Sequence, residues 1–285
     1  MPVGFQTFNV SDAAQHLTFP ALSFYPATQE PQPHSIGPYT MQVALDAPLA
    51  PGVYPLVLIS HGSGGAPILY RTIAMALAAH GYVVVLLEHA GNNRLDNRLK
   101  GTWQNLQNRP RHVSLTIDHL AQNPAYSPHL DFTRIAVIGH SLGAYTALAL
   151  AGGQPWTQEQ EAVPVEADPR ISVLVLLAPA TAYYLPEGAL SAVNLPILIL
   201  TGEHDDITPQ WHADLVINGV QQPACVSWHE VKNAGHFSFL SPFPQAMQRP
   251  GLAPALDPAG FDRVTFHQVM PLQIAAFLDR ELGQP

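Results

Sequence analysis

A single cysteine, Cys225, stands in a chain of 285 residues, so no disulfide can staple the chain to itself. That usage fits a reducing compartment, and the cytoplasm is the expected location. The opening residues, Met1-Pro2-Val3-Gly4-Phe5-Gln6, have neither the basic start nor the apolar stretch of a secretory signal. Basic residues are scarce, 12 Lys and Arg against 21 Asp and Glu, for a net charge of −9. A phosphate-binding face needs clustered cations, so nucleic acid is not an expected partner. Apolar runs reach about eight residues, well short of the ~20 that span a bilayer, so no stable membrane insertion is expected. Charged residues make up only 12%, but 47% of the chain is hydrophobic, which excludes disorder and leaves ample material for a core.

Five short apolar runs stand out: residues 56–60, 82–87, 134–139, 173–177 and 197–200. They are continuous rather than alternating, rich in Val and Ile, and too short for buried helices. Strands covered on both faces of a parallel sheet read this way. A more mixed run at 226–231 suits a strand nearer the sheet edge. Helices are expected between them at 67–80, 112–122, 142–151, 209–217 and 261–282, the last kinked or divided by Pro271. Two weaker runs, 22–25 and 41–45, predict an antiparallel edge. The fold class is therefore α/β, a mostly parallel doubly wound sheet with helices on both faces and an antiparallel N-terminal edge. Three stretches fit neither element, 91–109, 152–170 and 238–260. We expect one domain over 1–285, with these long loops partly covering the active site.

Gly139-His140-Ser141-Leu142-Gly143 is a G-x-S-x-G sequence between an expected strand and an expected helix. A tight strand-to-helix turn strains the serine backbone and crowds the positions two residues either side, where glycine is needed. It lifts the Ser141 hydroxyl to the carboxyl edge of the sheet and leaves the Leu142 N–H at a helix start, ready for an anion. A serine hydroxyl needs a base. On such a sheet the order is Ser, acid, His. His236, in Asn233-Ala234-Gly235-His236-Phe237, follows the last strand. Asp205, in Gly202-Glu203-His204-Asp205-Asp206, follows the one before it. Asp206 reads as a turn residue and Glu203 as a weaker substitute. The second oxyanion donor is expected from His61-Gly62-Ser63-Gly64-Gly65, specifically the Ser63 N–H beside that of Leu142. The same glycines match neither a P-loop nor a dinucleotide fingerprint. His89, Trp103, Tyr145 and Phe237 are candidate pocket residues. No histidine falls in a metal-ligand spacing, and the Asp205–Asp206 pair has too few oxygen neighbours for calcium, so no metal and no cofactor is expected.

With these residues in hand, the chain resembles the α/β-hydrolase superfamily. Within it, the chain looks like the dienelactone-hydrolase-like group that includes the platelet-activating-factor acetylhydrolases. The matching pieces are Phe24-Tyr25-Pro26-Ala27, residues 55–65, His80-Gly81-Tyr82, Glu88-His89, residues 139–152, Asp168-Pro169-Arg170, Ala178-Pro179, residues 202–209 and Gly235-His236-Phe237. The resemblance implies a cofactor-free Ser–His–Asp hydrolase of short acyl esters or lactones, with a small-molecule ester as its partner. The chain departs from dienelactone hydrolases proper, which use a cysteine nucleophile, by carrying Ser141. The same triad could serve amides, thioesters, polyesters or acyl transfer, and a non-catalytic ligand-binding module on this fold is a further alternative. The oligomeric state is not legible.

Overall fold

The apolar runs form the parallel half of a ten-stranded sheet. The computed structural model describes residues 1–285. Strands β5 (Tyr54–Ser60), β6 (Val83–Leu87), β7 (Leu130–His140), β8 (Ile171–Leu177), β9 (Ile197–Gly202) and β10 (Val226–Val231) run parallel, in the spatial order β10-β9-β8-β7-β5-β6. Every residue of β5 and β6 is buried. Successive residues feed opposite faces: Leu56 and Leu58 pack on one side of the sheet, Val57 and Ile59 on the other. Helices α1 (Arg71–His80) and α5 (Arg263–Leu282) cover the second face. Helices α2 (Trp103–Gln122), α3 (Leu142–Leu150) and α4 (Trp211–Gly219) cover the first. The winding on both sides is the expected one. Strand β10 pairs with β9 alone and is the edge.

The antiparallel N-terminal region is larger than the two runs expected. Strands β1 (Val3–Asp12), β2 (Leu17–Pro26), β3 (Gln32–Ile36) and β4 (Tyr39–Leu45) extend the sheet beyond β6. Strand β2 pairs antiparallel with β6 and β1, and β1 pairs parallel with β4. Strand β1 has no apolar run because its middle is half solvated: Phe5 is buried while Gln6 and Thr7 are not.

Two helices run through a proline, and the first of them starts nine residues earlier than expected. Helix α2 begins at Trp103, so the irregular stretch that begins at residue 91 ends at 102 rather than 109. Thr102 caps it, its hydroxyl accepting the Asn105 N–H at 3.2 Å. Pro110 inside this helix cannot donate to the carbonyl of Leu106, four residues back. The Tyr145 hydroxyl from α3 fills that gap, donating to Leu106 O at 3.0 Å. Helix α5 likewise continues through Pro271, and the Asp262 side chain caps it, accepting from the N–H groups of Val264 and Thr265. Segments 152–170 and 238–260 contain no helix beyond short 3-10 turns. No helix is long and apolar enough to cross a membrane.

Candidate active site

The carboxyl ends of β7, β9 and β10 bring Ser141, Asp205 and His236 to one rim. Ser141 sits between β7 and α3 with φ +54° and ψ −119°, a backbone state that L-residues avoid. The turn persists because its neighbours leave no room for another course. A Cβ on Gly139 would lie 2.2 Å from Gly143 O, and one on Gly143 would lie 1.9 Å from Ser60 O. The Ser141 N–H donates to Leu177 O at 3.0 Å, anchoring the elbow to β8.

His236 Nε2 is 3.0 Å from Ser141 Oγ, and its Nδ1 is 2.8 Å from Asp205 Oδ2. Asp205 Oδ1 accepts from the backbone N–H groups of Ile207 at 2.9 Å and Thr208 at 2.8 Å. The Thr208 hydroxyl donates to Asp205 Oδ2 at 2.8 Å. Burial pushes the Asp205 carboxyl up, but the His236 contact and charge and the two Thr208 donors outweigh it, holding the carboxyl below its usual range. Asp205 is therefore ionised beside the imidazole at neutral pH. Asp206 is exposed. Glu203 accepts the Asn233 N–H at 2.7 Å in the exposed turn.

Gly62 brings the β5–α1 loop against the elbow; a Cβ there would lie 3.2 Å from the Ser141 Cβ. Neither the Ser63 nor the Leu142 N–H has an acceptor in the protein. Both residues line the cavity beside the Ser141 hydroxyl, so both donors are free for a ligand oxygen.

A second serine–histidine contact lies deeper. Ser60 Oγ is 2.8 Å from His89 Nε2. Both residues are fully buried, neither lines a cavity at the elbow, and the other ring nitrogen of His89 faces His112 Nδ1 at 3.4 Å rather than a carboxylate. It has no acid to orient the base and no path to substrate. The Ser141 contact has both.

Two cavities meet at Ser141. One, about 670 Å³, is mostly apolar, with Ile68, Leu69, Phe237, Leu240, Phe243 and Met247 in its wall. The other, about 570 Å³, carries Asn105, Thr157, Gln160 and His212 beside Leu142 and Tyr183. No Asp or Glu lines either, although the chain is acidic overall; Arg94 and Arg249 line the larger one, and Lys100 lines both. Segment 152–170 supplies Trp156 and its neighbours to the smaller cavity, and segment 238–260 supplies Phe243, Met247 and Leu252 to the larger one.

Of the candidate pocket residues, Phe237 alone lines a cavity. His89 is buried beneath the β5–α1 loop. Trp103 is 57% exposed at the start of α2. Tyr145 is fully buried, its hydroxyl committed to Leu106 O. Two further residues belong to the site, Tyr70, which carries no sequence signal, and His140, which lies inside the G-x-S-x-G stretch. Tyr70, on the 3-10 turn before α1, accepts the Gly62 N–H at 3.2 Å and donates to His140 Nδ1 at 2.9 Å. His140 Nε2–H donates to the carbonyl of His236 at 3.0 Å. Burial, with His236 close by, pushes the His140 pKa down to about 3, so the ring is neutral and serves as donor and acceptor at once. One polar chain thus ties the Gly62 loop, the elbow and the His236 loop together.

The chain is similar to known proteins over part or most of its length. A family model described as serine aminopeptidase, S33, matches residues 53–190. The chain is 26% identical over 188 residues, 65% of its length, to Cutinase 2 of Thermobifida cellulosilytica, covering 61% of that protein. It is also 26% identical over 188 residues to Cutinase cut1 of Thermobifida fusca, covering 50% of it. The match thus spans less than two thirds of either relative. A solved structure of a ferulic acid esterase from Streptomyces cinnamoneus superposes with a TM-score of 0.77 at 21% identity, over 99% of this chain and 90% of that one. The chain has the fold of the α/β-hydrolase superfamily.

Proposed function

We propose that this protein is a serine hydrolase of carboxylic esters. His236 takes the proton of Ser141, whose Oγ attacks the ester carbonyl. The N–H groups of Ser63 and Leu142 receive the oxyanion, and Asp205 holds the His236 tautomer and steadies the imidazolium. His236 then protonates the leaving alcohol, and water releases the acyl group by the same steps. The observation that carries the reading is the continuous contact Ser141 Oγ–His236 Nε2–Asp205 at 3.0 and 2.8 Å, opening onto two cavities.

The two cavities give room for the acyl and alcohol sides of an ester, and short acyl esters or lactones are the class we favour. The relatives named cutinase and ferulic acid esterase support ester cleavage. The family description raises a rival, removal of an N-terminal amino acid. Such a substrate brings a free ammonium, and neither cavity offers a carboxylate to pair with it. Membership of the dienelactone-hydrolase-like or acetylhydrolase-like group rests on the sequence pieces named above, and a single domain whose segments 91–109, 152–170 and 238–260 partly cover the site is supported by the residues that all three give to the cavity walls. A cytoplasmic location rests on the one cysteine, Cys225.

The test is Ser141→Ala with p-nitrophenyl butyrate, joined to labelling by a fluorophosphonate probe. The expected result is loss of at least ~10³-fold in kcat, unchanged folding, and probe attached to Ser141 in the parent protein. Retained hydrolysis in the variant, or labelling at Ser60 instead, overturns the assignment.

A further inference from the structure

Arg109 in helix α2 is fully buried, yet no carboxylate pairs with it. A lone buried cation is costly, so it persists only where many acceptors surround it. Each of its nitrogens has a partner. Nε donates to Thr146 Oγ1 at 3.1 Å, and one terminal nitrogen donates to Asn92 Oδ1 at 2.7 Å. The other reaches the carbonyl of His61 and, at 3.4 Å, Ser60 Oγ. These partners lead to both oxyanion donors. Asn92 Nδ2 donates to Ser63 Oγ at 3.1 Å, and His61 precedes Gly62-Ser63 in the same loop. Thr146 Oγ1 in turn donates to the carbonyl of Leu142 at 3.2 Å. One rigid, planar group therefore spans the β5–α1 loop and the first turns of α3, which carry the two N–H groups, from behind, without touching the cavity.

The surroundings keep that charge unopposed. His61, His89 and His112 pack beside it, and burial together with the Arg109 charge holds each ring well below its usual pKa, hence neutral. No acid faces Arg109 from α2, α3, β5 or the 88–102 segment within ion-pair distance.

We propose that Arg109 is a positioning residue for the oxyanion hole: it sets the separation of the Ser63 and Leu142 N–H groups and adds a fixed positive field behind them. This rests on the ester-hydrolase reading above. A charge fixed before the reaction stabilises the oxyanion more than the neutral ester, so its effect falls on the transition state.

The experiment compares Arg109→Lys, Asn92→Ala and Thr146→Val with the parent on p-nitrophenyl butyrate. It also measures inhibition by phenylboronic acid, which forms a tetrahedral anionic adduct on a nucleophilic serine. Lysine keeps the charge but cannot reach three acceptors in a plane. The expected result for Arg109→Lys is a kcat at least ten-fold lower, KM within two-fold, and boronate affinity lowered by a similar factor. Asn92→Ala and Thr146→Val, each cutting one arm, should show three- to ten-fold losses of the same kind. Full activity in Arg109→Lys, or a loss confined to KM with boronate affinity intact, overturns the proposal. If Arg109→Lys does not fold, the two single-arm variants decide: folded protein with kcat and boronate affinity within two-fold of the parent also overturns it. A parent that neither hydrolyses the ester nor accepts a fluorophosphonate on Ser141 refutes the ester-hydrolase reading itself, a distinct outcome.

Discussion

Asp205→Asn separates two adjacent carboxylates and gives a magnitude that the hydrogen bonds dictate. Oδ1 of Asp205 is held by two backbone N–H donors, at 2.9 and 2.8 Å, which demand an acceptor. The Asn amide oxygen must take that place. Its NH₂ group then occupies the Oδ2 position, 2.8 Å from His236 Nδ1. A donor now faces the ring nitrogen, so the imidazole moves its proton to Nε2. That proton points at Ser141 Oγ, and the ring can no longer act as a base. The Thr208 hydroxyl, which donated to Oδ2, can turn to the carbonyl of Ala178 at 3.1 Å, so the fold has no orphan group to force a rearrangement. The expected loss is ~10⁴ in kcat, equivalent to about 5 kcal/mol at the transition state. Asp206→Asn, one residue on and exposed, should stay within two-fold. The assay is steady-state hydrolysis of p-nitrophenyl butyrate, with circular dichroism to check folding. A folded Asp205→Asn protein retaining a tenth of parental activity would refute the reasoning, as would an equal loss in Asp206→Asn.

Two further predictions concern stability. Tyr145→Phe removes the donor that satisfies Leu106 O and should cost about 1–2 kcal/mol in urea unfolding. Pro110→Ala restores a backbone N–H to that carbonyl, so the same Tyr145→Phe change should cost less than half as much in the Pro110→Ala background; equal costs would sink the account. His61, His112 and His140 have folded pKa values of about 3, lowered mainly by burial, against an ordinary 6.5. The unfolded chain therefore binds more protons below pH ~6.5, and the stability these rings contribute is complete above that pH and lost as it falls toward 3. Three such rings give a slope of roughly 4 kcal/mol per pH unit between about pH 6 and 4. Against a typical ~5–15 kcal/mol total, acid unfolding is expected between about pH 4 and 5.5. A urea midpoint unchanged from pH 7 to 4.5 would contradict it.

Legibility followed the physics of each signal. The continuous apolar runs announced the parallel strands because burial on both faces leaves no polar position. Strand β1 escaped notice because its residues are half solvated. The first nine residues of α2 escaped because Pro110 reads as a breaker, and the tyrosine hydroxyl that compensates lies 35 positions further along. Ser141, Asp205 and His236 could be chosen because strand ends were visible and residues at strand ends share a rim. Pocket walls follow no such rule. Tyr145 points into the core and Phe237 into a cavity, and nothing in their sequence neighbourhoods separates them.

By itself the amino-acid order determined the alternation of strand and helix, the strained turn at Ser141 and the strand ends after which Asp205 and His236 fall, because each follows from local sterics and burial along one stretch of chain. Only the tertiary structure decided that Thr208 and His140 brace Asp205 and His236, and that Arg109 lies unpaired behind the Ser63 and Leu142 N–H groups. Those are contacts between segments 28 to 96 residues apart. Such a contact depends on how elements pack, and packing is a property of the whole chain rather than of any window within it.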